Sequence, residues 1–249
     1  MKGPIGHIID VMAVVATMFG LATTLGLGIQ HINAGMHYLF NFEESVNLQV
    51  ILILIITLGA TLSVVSGLHK GIQLLSKMAS VMAIILMGFM LVVGPTSFIL
   101  GSTVQSTGYY LQNLIATSTW MEVNTESRWM DSWTFFYWGW WFAWAPFVGL
   151  FVARISKGRT IKEFLIGVVI APTSATIVWI SIFGSTSLHI EIFGSGGMTE
   201  AVNQDITTAL FKLLEHFPLP YLSILFVVIA GVIFFITSSD SGSLVIDFI

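Results

Sequence analysis

Long apolar stretches alternate along the chain with short polar connections. Each stretch is long enough to cross about 30 Å of hydrocarbon as an α-helix. The strands of a membrane barrel would instead show short segments of alternating polarity, which this sequence does not contain. We therefore expect an all-α, polytopic bundle of membrane helices that forms a single domain over 1–249. The six predicted spans are approximately 8–39, 48–67, 78–100, 133–154, 164–187 and 221–248.

A shorter amphipathic segment lies between the fifth and sixth spans. Within 201–217, apolar side chains recur at helical spacing, while the charged side chains fall largely on other faces. This pattern predicts a helix that lies on the outer surface of the membrane. Pro218 and Pro220 end that helix and turn the chain into the last span.

Composition agrees with this class and excludes several others. The chain is 55% hydrophobic and 9% charged, as is typical of a polytopic membrane protein. Cysteine is absent, which excludes disulfides and thiolate metal sites. No basic run favours a nucleic acid as partner. The sequence has neither H-E-x-x-H nor G-x-S-x-G, so we do not expect an enzyme.

The basic residues between the spans indicate the orientation of the chain. With the N-terminus inside, seven basic residues lie on the inner side and two on the outer side. The positive-inside rule thus favours a multi-pass protein of the plasma (inner) membrane with the N-terminus of this chain in the cytoplasm. The inner residues are Lys2, Lys70, Lys77, Arg154, Lys157, Arg159 and Lys162, and the outer ones are Arg128 and Lys212.

The fourth span contains an unusual concentration of tryptophan. Five indoles fall within twelve residues, at Trp133, Trp138, Trp140, Trp141 and Trp144. Helical spacing places Trp133, Trp140 and Trp144 on one stripe, which Trp141 widens into a face. Counted from Trp133, the positions from Trp140 to Trp144 lie ~10–16 Å deep, near the bilayer midplane.

The π face of an indole attracts a cation, most strongly where water is excluded. The fourth span is therefore predicted to hold a positively charged, poorly hydrated ligand. The alternative is that these tryptophans face lipid or pack against other helices. Pro146 follows them directly and predicts a kink in the helix.

Two further segments carry small or hydroxylated side chains inside apolar spans. Residues 234–243 place a run of oxygen donors around Asp240, which would suit a sodium ion. Hydrogen bonding between helices is an equally good explanation. In the first span, Gly20, Gly26 and Gly28 favour close helix packing over a direct role with a ligand.

These segments resemble the betaine/choline/carnitine transporter family. The likeness is most specific in WTFFYWGWWFAWAPFVGLFVARISKGRTIKEF and extends to GPIGHIID, ATMFGLATTLGLGIQHINAGM, SVVSGLHKGIQLLS and ITSSDSGSLVID. Members of that family are about twice as long, with twelve spans, so this chain resembles their middle six spans, truncated at both ends. The resemblance implies part of an inverted five-helix-repeat (LeuT-like) sodium-symporter fold, assembled as a homotrimer.

The resemblance also assigns roles to residues of the fourth span. It implies that Trp140, Trp141 and Trp144 belong to the substrate cage and pathway, and that Trp133 lines the outer approach. Trp138 is grouped with them as a substrate-binding candidate. In the family, two further helices, one of them rich in glycine, complete the substrate cage. We expect both upstream of Met1, so the isolated chain is expected to be inactive.

For the coupling ion, the family pattern Phe-x-x-Thr-Ser implies a sodium site at Phe234, Thr237 and Ser238. A second cation position is implied at Thr17 and Phe147, with Leu21 standing where the family pattern has another threonine. Sodium is the expected coupling ion, and no other cofactor is expected.

The function implied by the resemblance is sodium-driven import of a quaternary-ammonium solute such as glycine betaine, choline or carnitine. Such import would protect the cell against osmotic stress. By that resemblance, sodium-independent exchangers of the family carry an arginine near the sodium position. Apart from Arg154 at the inner end of the fourth span, no arginine lies in the apolar segments here, which favours sodium coupling over exchange. Two alternatives stay open at this point: a sodium-independent exchanger of the same substrates, and an osmosensor or receptor that binds without transporting. The expected partners are the small substrate and the lipid bilayer.

Overall fold

The computed structural model describes residues 3–66, 71–123 and 128–246, and across these ranges the chain is helical without a strand. Two short π-helical turns, Met130–Phe135 and Ile166–Ile170, and one 3-10 turn, Ile206–Thr208, adjoin the α-helices. The α-helices are α1 Pro4–Phe40, α2 Val46–Ser66, α3 Ile72–Val93, α4 Thr96–Gln112, α5 Leu114–Ser118, α6 Phe136–Ile155, α7 Ile161–Leu165, α8 Ala171–Phe193, α9 Met198–Gln204, α10 Ala209–Glu215 and α11 Pro220–Ile246.

Six helical stretches of the described residues are long and apolar enough to cross a membrane. This confirms the prediction of an all-α polytopic membrane protein. The stretches are Pro4–Phe40, Val46–Ser66, Gln73–Val93, Met130–Ile155, Ile161–Phe193 and Pro220–Ser243. The last residues of the sixth predicted span, 247–248, lie outside the described residues, as does residue 67 at the end of the second. Lys2 and Lys70 of the orientation argument lie outside them as well.

The third span ends earlier than its apolar pattern indicates. Helix α3 stops at Val93, and α4 starts at Thr96 inside the predicted 78–100 stretch. Gly94 adopts an extended conformation, with φ −77° and ψ −176°, and Pro95 has no backbone N–H to continue the helix. Thr96 Oγ1 donates a hydrogen bond to the carbonyl of Leu91 over 2.6 Å, which satisfies an end carbonyl of α3.

The amphipathic segment predicted at 201–217 is interrupted rather than continuous. Asp205, between α9 and the 3-10 turn, has φ −158° and ψ 108°, and its carboxylate accepts a hydrogen bond from the N–H of Thr207 at 2.9 Å. This cap restarts the helix, because an aspartate side chain replaces the missing backbone acceptor. Phe211 and Leu214 of α10 are buried, so the apolar side of the segment packs into the protein.

The residues divide into two compact units by their contacts. Unit 1 comprises Met1–Thr23, Val104–Ser174 and Gly242–Ile249, and unit 2 comprises Thr24–Thr103 and Ala175–Ser241. The hydrophobic core of unit 2 draws on α1, α2, α3, α4, α8, α9, α10 and α11. Its most deeply buried side chains include Ile56, Met90, Ile99, Leu214 and Ile224.

In unit 2, α1 and α11 pack antiparallel in a fixed register. A Cβ atom on Gly28 would overlap the ring of Phe235, and a Cβ atom on Gly35 would overlap Val228. From the first contact to the second, the residue number rises by seven on α1 and falls by seven on α11, so the two helices run antiparallel. Small residues at these points let the helix axes approach closely. The close packing predicted for Gly28 is thereby confirmed, whereas Gly26 has nothing within 4 Å of such an atom.

Candidate functional site

The tryptophan-rich helix begins with a π-helical turn, Met130–Phe135, and continues as α6 without interruption at Pro146. Pro146 therefore does not break the helix, and the kink predicted there stays a prediction. None of the side chains of α6, all of whose residues are described, is buried. Large aromatic side chains are thus presented on its surface.

Four aromatic rings stack along one face of this helix and form what we call the aromatic ladder: Trp129, Trp133, Tyr137 and Trp140. Successive ring centroids are 6.4, 6.1 and 6.0 Å apart, with interplanar angles of 28°, 9° and 18°. Spacings of four, four and three residues bring side chains onto one helix face. Tyr137 was not among the predicted site residues, although its position four residues after Trp133 is the signal that identifies it.

A second group of rings lies along a shallow cavity of about 470 Å³, which we call the tryptophan groove. Trp138 and Trp141 are 60% and 68% exposed, so their ring faces are open. A further wall comes from Trp144, whose ring lies 5.1 Å from that of Phe147. The groove is lined by Trp138, Trp141, Phe142, Trp144, Ala145, Val148 and Gly149.

The structure thus brings the five predicted tryptophans together in two groups rather than one. Trp133 and Trp140 belong to the ladder, and Trp138, Trp141 and Trp144 belong to the groove. One residue turns an α-helix by about 100°, so the adjacent Trp140 and Trp141 point along different faces. An open groove walled by indoles can accept an apolar cation once another surface covers it and excludes water.

Helix α1 meets α6 within unit 1 at a small residue. A Cβ atom on Gly20 would lie 3.2 Å from Ala143 and 3.4 Å from Cδ1 of Trp144. The contact therefore sets the position of Trp144, one of the groove tryptophans. Leu21, next along α1, packs against Gly242, where a Cβ atom would lie 3.1 Å from the leucine side chain.

The two residues of the candidate second cation position, Thr17 and Phe147, lie on either side of this contact between α1 and α6. Thr17 lies one turn before Gly20 on α1, is 2% exposed and donates its hydroxyl hydrogen to the Ala13 carbonyl over 2.8 Å. Phe147 lies one turn after Ala143 on α6. Thr17 Oγ1 keeps its lone pairs as a possible ligand, but Leu21 adds an apolar side chain in place of a hydroxyl.

The main sodium candidate lies on α11, in unit 2. Thr237 is 8% exposed, and its Oγ1 donates to the carbonyl of Phe234 over 2.8 Å. That bond uses the only hydroxyl hydrogen, so the lone pairs of Oγ1 remain available to a cation, as does a second lone pair of the carbonyl. Ser238 follows as a partly buried hydroxyl, whereas the ring of Phe234 is 55% exposed.

These oxygens form a set of hard ligands, which sodium favours over nitrogen or sulfur. They supply only part of a coordination shell, so other segments would have to complete it. No cluster of three or more histidine or acidic side chains suited to a metal ion occurs in the described part of the chain.

A buried carboxylate accompanies this candidate site. Asp240 is 0% exposed and accepts hydrogen bonds from Ser63 Oγ at 2.6 Å and from Ser241 Oγ at 3.1 Å. A Cβ atom on Gly59, one turn before Ser63, would lie 2.7 Å from Ile236, one turn before Asp240. Helices α2 and α11 therefore run parallel here. Ser63 was not predicted as part of any site.

The sequence model of the betaine/carnitine/choline family of transporters matches residues 1–249. Among similar proteins, the glycine betaine transporter OpuD of Bacillus subtilis is 44% identical over 98% of this chain and 48% of its own length. The high-affinity choline transport protein of Escherichia coli K12 is 40% identical over 98% of this chain and 36% of its own length.

An osmo-dependent choline transporter of Acinetobacter baylyi, BetT2, is 42% identical over 98% of this chain and 36% of its own length. The chain therefore spans about half of the length of these relatives or less.

Proposed function

Because this chain belongs to the betaine/carnitine/choline family of transporters, we propose that the protein containing it carries a small quaternary-ammonium solute across a membrane. The relatives named above are transporters of glycine betaine or of choline. Both compounds carry a trimethylammonium group, and that group is the shared chemistry that the site has to recognise.

The observation that carries the proposal is the tryptophan groove. A trimethylammonium group has no N–H, so hydrogen bonds cannot select it. Apolar contact and cation–π attraction can select it, at about 2 kcal/mol or more for a desolvated ring face. The exposed rings of Trp138 and Trp141, with Trp144 beside them, offer such faces along one cavity. We assign these three residues to the substrate site.

The aromatic ladder is the second part of the proposed site. Trp133 and Trp140 present stacked rings on the neighbouring face of α6, joined by Tyr137. A weakly hydrated cation can move between such rings, because each one offers a similar attraction. We assign the ladder to the path of the substrate and the groove to its final binding place.

We further propose that transport is coupled to sodium at Phe234, Thr237 and Ser238. Support comes from the buried Thr237 hydroxyl and the Phe234 carbonyl, which place two oxygens side by side on α11. The register of Gly28 against Phe235 fixes α11 on α1 one residue away from this pair. A cation bound there would favour one arrangement of these helices, which is how coupling ions act in transporters of inverted-repeat design. Thr17 and Phe147 are a weaker candidate for a second cation.

Uptake by the full-length protein in proteoliposomes tests the proposal. Radiolabelled glycine betaine, choline and carnitine are offered under an inward sodium gradient and under an equal potassium gradient. We expect saturable accumulation of at least one of them that requires sodium. Accumulation in potassium would identify a sodium-independent exchanger, and saturable binding without accumulation would identify a receptor or osmosensor. If the protein neither bound nor accumulated any of the three solutes, the proposed substrate class would be wrong.

A further inference from the structure

A second cavity with aromatic walls lies in unit 1 and shares no lining residue with the tryptophan groove. Its volume is about 690 Å³, within the range of cavities that bind small molecules. It lies between the end of α4, the short helix α5 and the π-helical turn that precedes α6. Its walls include Tyr109, Asn113, Thr117, Trp120, Glu122 and Trp129.

The two indoles of this cavity meet nearly at right angles. The ring centroids of Trp120 and Trp129 are 5.6 Å apart, with an interplanar angle of 79°. The two residues are 48% and 51% exposed. Rings set at right angles form two walls of the kind of aromatic cage that recognises quaternary ammonium groups.

A carboxylate lines the same cavity as these rings. Glu122, partly buried, accepts a hydrogen bond at Oε2 from the backbone N–H of Met130 over 2.9 Å. The bond fixes the side chain at the start of the π-helical turn. A negative charge in the same cavity as two indoles adds a Coulombic attraction for a cation. The nearby Arg128 pairs with Asp131, with Nε 3.3 Å from Oδ2.

Trp129 connects this cavity to the aromatic ladder, because its ring is both a wall of the cavity and the first ring of the stack. A cation bound at Trp129 therefore has Trp133, Tyr137 and Trp140 as successive neighbours. The arrangement allows an onium group to lose its water in steps, exchanging one aromatic face for the next.

We propose that Trp120, Trp129 and Glu122 form a first binding site for quaternary-ammonium cations, from which the ladder leads to α6. The ligand class rests on the proposed function. The carboxylate gives this site a selectivity that the groove lacks: it attracts choline, which carries only a positive charge, and repels the carboxylate of glycine betaine. The first site thus favours cations over zwitterions.

The experiment uses the full-length protein in proteoliposomes and measures KM and kcat for choline and glycine betaine. Trp120→Ala should raise the KM for choline about three- to fivefold with kcat unchanged, the loss expected for one partly exposed cation–π face. Trp120→Phe, which keeps an aromatic face, should stay within about twofold of wild type. Tyr110→Ala is the matched control, because Tyr110 is 50% exposed on the same helix as Tyr109 but lies outside the cavity.

Glu122→Gln tests the charge, because the amide oxygen can still accept from Met130. Its KM for choline should rise, while its KM for glycine betaine should stay level or fall. The proposal would be overturned by equal changes for both substrates, by a loss of kcat at constant KM, or by the same effect from Tyr110→Ala. Trp120 and Trp129 would then only anchor this segment of the chain.

A binding measurement separates this proposal from the proposed function. In a Trp141→Ala background the groove is disrupted, so residual choline binding reports the first site. We expect binding in the millimolar range, weakened by Trp120→Ala. If wild-type protein transports neither substrate but this binding persists, the proposed function fails and the first site stands. If uptake is normal and Trp120→Ala leaves the residual binding unchanged, the first site fails alone.

Discussion

Ser63 donates its hydroxyl hydrogen to a carboxylate oxygen of Asp240 over 2.6 Å, and both side chains are buried within apolar helices. The two residues are 177 positions apart in sequence. An ionisable side chain inside a membrane span is costly unless it has partners. The contact therefore holds α2 against α11 a short distance along the helix from Thr237 and Ser238, which we assign to sodium.

Removing the Ser63 hydroxyl should destabilise the protein. Ser63→Ala leaves the buried Asp240 carboxylate with one donor fewer, at a cost of about 1–3 kcal/mol. Ser63→Thr retains the hydroxyl and is the control. Thermal unfolding of the purified full-length protein in detergent measures the difference. If Ser63→Ala unfolded at the wild-type temperature, the contact would contribute nothing to stability.

The close approach of α1 to α11 makes Gly28 intolerant of a side chain. Gly28→Ala should cost about 1–3 kcal/mol, because its methyl group overlaps the ring of Phe235. Phe235→Leu, which shortens that side chain, should restore part of the loss in the double variant. Gly26→Ala is the matched control and should unfold like wild type, since nothing lies within 4 Å of the added methyl. Equal stability of the two alanine variants would contradict this helix register.

Thr237 is expected to control the sodium requirement. Thr237→Ala removes the buried hydroxyl oxygen and should raise the sodium concentration needed for half-maximal uptake by about tenfold, the equivalent of one ligand worth about 1.4 kcal/mol. Thr237→Ser preserves the oxygen and should remain close to wild type. Initial uptake rates across a sodium titration give the answer. An unchanged sodium dependence in Thr237→Ala would remove this residue from the cation site.

The absence of cysteine from the chain allows a direct test of orientation. A single cysteine at Ser156, after α6, is expected on the cytoplasmic side, and one at Ser195, after α8, on the opposite side. In intact cells of a host expressing an otherwise cysteine-free full-length protein, a membrane-impermeant maleimide should label only Ser195→Cys. The reverse labelling pattern would invert the proposed topology.

The spans were predictable because their length and apolar character dominate the choice of structure, whatever their neighbours. The break at Gly94 was not, since the apolar run passes through it and only the glycine–proline pair marks the stop. The packing role of Gly28 followed from residue size alone. Its partner Phe235 did not, because helix register depends on the folded arrangement of α1 and α11.

The same limit applies to the site residues. Helical spacing identified a tryptophan face, yet the division between ladder and groove depends on side-chain orientations that spacing does not specify. Tyr137 was predictable from the same spacing, because tyrosine is an aromatic residue and lies four positions after Trp133. Trp120 and Glu122 could not, because only the folded arrangement brings them into one cavity with Trp129. Ser63 likewise becomes a partner of Asp240 only through tertiary packing.

If exposed indoles of α6 bind the onium group of the substrate, uptake by the full-length protein should depend on Trp141, which the Trp141→Ala variant measures. Trp179→Ala serves as the control, because Trp179 is a partly exposed tryptophan of α8 outside the groove. We predict that Trp141→Ala abolishes saturable uptake of glycine betaine and choline, while Trp179→Ala retains it. Wild-type kinetics in Trp141→Ala, with normal amounts of protein in the membrane, would show that this indole does not bind the substrate.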